Sequence, residues 1–453
     1  MIFRNPTNPF IPSAILLAAA MTLAGCASYR ARPLSLAPPL RIDLASLDRT
    51  PQGGRVIDAT RPLSPQALAA LAVLNDPALA AARAQIGIGR AQIFAAGLLP
   101  DPNIQGGFGA LLGGPGTAPS ISGALAQDLA SLITRGARLH AARARAAETG
   151  ANVMWQEWQV ASQAETLAVS LWADRRSLAT LDAARSTLRG LVATSRQAVA
   201  SGNLAIDQAS AAQASLASLD TAHDAVAQQE QTDHAALAAL LGVTPNTPIP
   251  LARPRIPRLP HGVTRNLVVT LARRRPDLIA LRYGYRAADA DLRAAILAQF
   301  PLLSLSVNGG SDTSRVASLG PTISLNLPIF NGNRGNIAVA KATRRQLDAA
   351  FTAALGVAQG QTDSAEQALA LLGAERRAAK ARLVSAATAA HAARRAYRAG
   401  LIDARIETDL IDQAATRQTE LIALDQKNAA GRIALASLLG AGLPVVSHTG
   451  GAP

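Results

Sequence analysis

The sequence predicts a mainly α-helical protein written twice, with a β-hairpin in each copy, and three observations predict it. No proline interrupts the chain between Pro119 and Pro245 or between Pro328 and Pro444. Both stretches are rich in Ala, Leu, Gln, Glu and Arg, so both read as long helices. Landmarks recur at separations of 198 to 201 residues along the 453-residue chain, the mark of an internal duplication. Finally, "PLLSLSVNGG" at 301–310 alternates without a slip, with Leu303, Leu305 and Val307 on one side and Ser304, Ser306 and Asn308 on the other. That period of two is strand chemistry.

The chain begins "MIFRNPTNPFIPSAILLAAAMTLAGC", a basic start, an apolar stretch and then Leu23-Ala24-Gly25-Cys26. This resembles a bacterial lipoprotein signal over 1–25, which would make Cys26 the acylated first residue of the mature protein. Cys26 is the only cysteine, so a disulfide within the chain is excluded. The resemblance extends to Ala27, a neutral residue after the cysteine that favours sorting to the outer membrane. Residues 26–64 then read as a lipid-anchored linker.

The first repeat spans 65–242, with a helix at about Pro65 to Leu99, strands near Asn103 to Leu111 and Ser120 to Leu129, and a long helix turning at Gly202. Its strands alternate weakly, Ile104 and Phe108 against Gln105 and several glycines. The Pro-rich connector 243–262 carries six prolines from Pro245 to Pro260 and reads as extended chain that forms neither helix nor sheet core. The second repeat, 263–440, has a helix at about Val263 to Phe300 and strands at Leu302 to Ser311 and Pro321 to Phe330. In the last of these, Ile323, Leu325, Leu327 and Ile329 alternate with polar residues. A short tail, 441–453, follows. The two turns match, since Gly202 precedes Gly242 by forty residues and Gly400 precedes Gly440 by forty. Leucines at 171, 178, 181 and 188, and at 421, 424, 435 and 438, keep heptad-like spacings, so the long helices should pack side by side.

Composition narrows the function. Only 3% of residues are aromatic, while 49% are apolar and dominated by Ala with Leu, which suits close helix packing. The net charge of +14 is largely Arg spread over the helices and connector, with no base-stacking aromatic pattern, so nucleic acid is not the expected partner. The six histidines (140, 223, 234, 261, 391 and 448) lack ligand spacing, and metal-protease, P-loop and serine-hydrolase motifs are absent. Gly87-Ile88-Gly89 sits in a helical pattern and reads as packing. The expectation is a protein that is not an enzyme, with no cofactor and no metal site.

Past the signal, no run of about 20 apolar residues could cross a bilayer as a helix, so any crossing falls to the strands. At about nine or ten residues they have the length to do so, with Leu303, Leu305, Val307, Ile323, Leu325 and Leu327 toward lipid. Four strands cannot close a barrel, so closure needs other copies of the chain.

The duplicated layout, together with "RRPDLIALRYGYRAADADLRAAILAQFPLLSL" and "LPIFNGNRGNIAVAKA", resembles the TolC family of outer-membrane efflux channels, in particular its lipoprotein branch. "NDPALAAARAQIGIGRAQIFAAGLLPDP" resembles the branch paired with heavy-metal exporters. The resemblance implies a homotrimer, with a twelve-stranded barrel in the outer membrane continued by a helical tunnel through the periplasm. It also implies a periplasmic adaptor protein and an inner-membrane pump, of the resistance-nodulation-division type or an ABC transporter. Drug-like molecules are the first expectation for cargo, metal cations the second and secreted polypeptide the third. A different class, a periplasmic coiled-coil tether without a pore, is disfavoured by the alternating hairpins. By resemblance the acidic stretch "AGLIDARIETDLIDQ" lies where the tunnel closes, which makes Asp409 the main gate candidate, followed by Asp403, Glu407 and Asp412. A solvated helix start would carry the same acids without any gate. The turns at Gly202 and Gly400 would present helix ends to the adaptor.

Overall fold

The structure is a computed structural model that describes residues 29–34, 36, 40–51, 56–113, 118–203, 206–300 and 302–443, so Cys26 lies outside the described residues. The chain divides into two units, Met1–Leu40 and Arg41–Pro453, and the second holds all the elements below. In chain order these are α1 (Pro65–Asn75), α2 (Pro77–Gly97), β1 (Asn103–Gly109), β2 (Ser120–Asp128), α3 (Ala130–Ala200) and α4 (Ile206–Leu241). The second half continues with α5 (His261–Val269), α6 (Leu271–Arg274), α7 (Pro276–Leu297), β3 (Leu302–Ser311), β4 (Ala317–Asn326), α8 (Arg334–Arg398) and α9 (Ala404–Leu439).

Each short helix expected to be continuous is broken at an X-Pro step. Pro77 removes an N–H donor and bars the helical conformation for Asp76, so α1 and α2 meet at 52°. Asp76 then caps α2 by accepting a hydrogen bond from the Leu79 N–H at 2.9 Å. In the second copy Pro276 does the same after Arg275, whose guanidinium pairs with Asp277 at 2.7 Å and covers the Trp155 ring.

With 71 residues, α3 is roughly 105 Å long at about 1.5 Å per residue. It packs along α4 and α9 and receives α1, α2 and α7, while α8 pairs with α9 and α7. Leu171, Leu181 and Leu188 are buried as the heptad spacing predicts, and Leu178 is half-buried. In α9 Leu435 is buried as the spacing predicts, but Leu421, Leu424 and Leu438 are only half-buried, and Ile411, Ile422, Ile433 and Leu439 complete the buried seam. Gly89 is a packing glycine, since a Cβ there would stand 3.2 Å from the Cβ of Ala146.

The connector does more than the sequence suggested. Prolines cannot donate, but Pro250 accepts from the Leu63 N–H at 2.8 Å, and Ala252 donates back to the Leu63 carbonyl. A second bridge joins Arg41 to Val243. Val243 and Ile249 are buried with Leu44, Leu63, Leu68, Leu171 and Leu241, so the connector closes a core around the middle of the helices.

Across the α3–α4 seam Asp174 is almost fully buried, and its Oδ2 has no hydrogen-bond partner. Burial pushes its carboxyl up to about 6, and the neighbouring Asp233 and Glu230 add to this. A carboxyl raised above its unfolded value binds protons preferentially in the folded state, so its contribution to stability is complete below about pH 4 and is lost as pH rises through about 6. Asp174→Asn is therefore expected to raise thermal stability at pH 7.5, by about 2 kcal/mol, and to leave it unchanged at pH 4. Melts at the two pH values check this.

Candidate functional site

The four strands form one antiparallel sheet in the order β1-β2-β3-β4, with each hairpin pairing internally and β2 pairing with β3 to join the two copies. Register decides what each face carries. Leu303 lies opposite Leu325, and Leu305 opposite Ile323. Val307 lies opposite both Pro321 and Leu125, and Leu125 in turn opposite Ile104. With Phe108 opposite Ile121, an exposed apolar face extends across all four strands, interrupted by Gln127 opposite Leu305 and by Gly106, Gly123 and Gly309. The other face is Ser304, Ser306, Asn308, Thr322, Ser324, Ser122 and Gln105. There the Asn308 amide donates to the Thr322 hydroxyl at 2.6 Å.

Two boundaries differ from the expectation. The last strand starts at Ala317, four residues before Pro321, because a proline without a donor is acceptable on a strand at the sheet edge. It also ends at Asn326. Pro328 breaks the ladder, so Leu327 and Ile329 lie beyond the strand and Leu327 is not one of the face residues. The first-copy strands end at Gly109 and Asp128.

At the far end of the helices the two turns are built alike. Gly202 and Gly400 adopt φ of +74° and +70°, a left-handed conformation that glycine enters without a Cβ penalty. The Asn203 N–H donates to the Ala198 carbonyl at 2.8 Å, and the Leu401 N–H to that of Ala396 at 2.9 Å. Leu401 is exposed at the tip.

The acidic residues after Gly400 have separate duties. Asp403 caps α9, accepting from the Ile406 N–H at 3.0 Å. Glu407 turns inward, almost fully buried, with Oε1 3.9 Å from Arg394 Nε and Oε2 without a hydrogen-bond partner. Burial raises its carboxyl, and Arg394 and Arg398 oppose that. Asp409 is exposed and Asp412 half-buried. Burial, and then the charge of Asp409, raise the Asp412 carboxyl. Sequence reading had no means of finding Arg394 or Thr187, whose hydroxyl accepts from the Arg394 guanidinium at 3.3 Å across copies. Among the described residues no group of three or more His, Cys, Asp and Glu side chains could hold a metal ion.

A sheet with one apolar and one polar face, carried on paired helices of this length, is a fold shared with solved outer-membrane channels. Residues 267–441 match the family model described as outer membrane efflux protein. Outer membrane protein OprJ of Pseudomonas aeruginosa is 30% identical over 221 residues, 44% of this chain and 46% of OprJ. The pyoverdine export outer membrane protein OpmQ of Pseudomonas putida is 29% identical over 234 residues, 49% of each chain. These alignments span about half the length of either relative. The solved structure of CusC, whose subject is folding and transmembrane channel formation, superposes with a TM-score of 0.71 at 18% identity, over 90% of this chain and 100% of CusC. That likeness is one of fold. Fold and matched family alike are those of channels.

Proposed function

We propose that the chain is the outer-membrane exit duct of a tripartite efflux system. The observation that supports this best is the sheet, which has one lipid-compatible face, one hydrophilic face and two unpaired edges at β1 and β4. In a bilayer each unsatisfied backbone group costs several kcal/mol, so the edges must be closed. Three copies supply twelve strands and a closed barrel whose polar face lines the pore, and the helices continue it into the periplasm. Transport is passive and needs no catalysis. Energy comes from an inner-membrane pump of the resistance-nodulation-division type, reached through an adaptor that docks at the turns of Gly202 and Gly400. Small molecules are the cargo, in keeping with the export role in the name of OpmQ. Purified full-length protein in planar bilayers tests the reading. Trimers with stable conductance are expected, and the absence of both would overturn it.

The lipid on Cys26 is part of this proposal and supplies a second anchor. Because the strands insert by their own apolar face, Cys26→Ser should abolish incorporation of labelled palmitate while trimers still form on native gels. Complete loss of folded trimer would contradict the independence of the barrel from its anchor.

A further inference from the structure

The connector is extended where it crosses the long helices, and its exposed positions alternate: Arg253, Arg255 and Pro257 are exposed, while Pro254 and Ile256 are half-buried. At about 3.3 Å per residue the two arginines stand about 6–7 Å apart on one side of the chain. They border a cavity walled by Trp172 and Arg176 of α3, Arg376 of α8 and Arg432 of α9. A second cavity, bordered by Arg258 and Arg377, shares Asn428 and Arg432 with the first, so the two make one continuous groove. Its acids are Asp425, which is paired with Arg376, and Glu366.

The positive charge here is only partly compensated. Among the described residues no carboxylate lies within ion-pair distance of Arg176, Arg253, Arg255, Arg258, Arg377 or Arg432. Arg176 lies over the Trp172 ring at 5.4 Å. Burial lowers the pKa of Arg432, the neighbouring Arg258 and Arg376 lower it further, and Asp425 opposes them. Its Nη1 donates to the Ile256 carbonyl at 3.2 Å, which ties the connector to α9 and gives the groove a rigid floor.

We propose that this groove binds an acidic peptide in extended conformation, with carboxylates on alternate residues facing Arg253 and Arg255. The cations are spread along a line, whereas a phosphate group is best held by donors converging on one point, and guanidinium forks match carboxylates in pairs. Prolines on the connector remove backbone donors, so recognition runs through side chains and not through strand addition.

Fluorescence anisotropy tests this on the purified full-length protein, with a fluorescein-labelled peptide of alternating Glu and Ser as probe, at about 0.15 M salt. Arg253→Gln/Arg255→Gln is expected to weaken binding at least about tenfold. Arg138→Gln/Arg196→Gln, at exposed sites elsewhere on α3 with the same loss of charge, should leave it unchanged. Equal loss in both variants would mean attraction to net charge alone and would overturn the proposal, as would failure of the unaltered protein to bind. Displacement of the peptide by tripolyphosphate at lower concentration than by unlabelled peptide would place a phosphate ligand in the groove and overturn the peptide assignment. Because Arg253 and Arg255 carry no ion pair, the circular dichroism melt should match the parent. A Gln variant that melts early is replaced by Arg253→Lys/Arg255→Lys, which keeps the charge but not the fork; it is expected to melt as the parent and bind several-fold more weakly, and binding equal to the parent's would mean attraction to charge alone and would overturn the assignment.

Discussion

Leu305→Arg is expected to abolish assembly in the outer membrane, whereas Ser306→Arg, one residue along the same strand, should leave trimers intact. Neighbouring residues of a strand face opposite ways. Leu305 lies opposite Ile323 and Gln127 on the apolar face, and Ser306 lies opposite Thr322 and Ala126 on the other. An arginine facing lipid near the bilayer midplane costs about 2–4 kcal/mol, and a trimer would bear that cost three times. One facing the pore stays hydrated, and its effect falls on conduction. Heat-modifiable trimer in outer-membrane fractions reads the first effect, and single-channel conductance reads the second. Equal tolerance of both substitutions would mean that the apolar face does not meet lipid, and equal loss would mean that the sheet cannot take arginine on either side.

The same strand shows what the sequence made legible. A period of two sustained over Leu303 to Asn308 identified β3, and its ends agree with the structure. The first-copy hairpin was faint for a physical reason. Gly106 and Gly123 occupy apolar-face positions between Ile104 and Phe108 and between Leu125 and Ile121, and glycine carries no hydropathy signal. Only the register across β2 and β3 joins those four side chains to Leu303, Leu305 and Val307. Long helices were legible from the absence of proline, yet single prolines elsewhere were underweighted at Pro77, Pro276 and Pro328, where each ends an element. At the tip, composition marked the acidic stretch, but the division of labour within it depends on packing. Asp403 and Glu407 look alike in sequence. One caps a helix and the other is buried toward Arg394, a residue contributed by the preceding helix. Contacts such as Arg394 to Thr187, across 207 positions, leave no local pattern to read.

That division sharpens the gate proposal, because it leaves Asp409 and Asp412 as the acids free to face a narrowing tunnel. Asp409→Ala is expected to remove cation preference in reconstituted trimers and to weaken block by divalent ions at least about tenfold, with export specificity unchanged. Three Asp409 carboxylates around a threefold axis would attract cations and repel anions, and the neighbouring Asp412 carboxyls would add to the ring. Their titration supplies an independent reading. Burial and the negative charge of Asp409 both hold the Asp412 carboxyl above its ordinary 3.8. A raised carboxyl takes up its proton at higher pH, so in the parent protein the ring should begin losing charge, and selectivity with it, above the usual aspartate range as the solution is acidified. Removing Asp409 leaves burial alone to raise Asp412, so the midpoint of any residual pH dependence should move down. Conductance, ion block and pH midpoint all unchanged in Asp409→Ala would remove these acids from the entrance while leaving the duct itself in place, since the barrel and the helical tunnel depend on residues far from the tip.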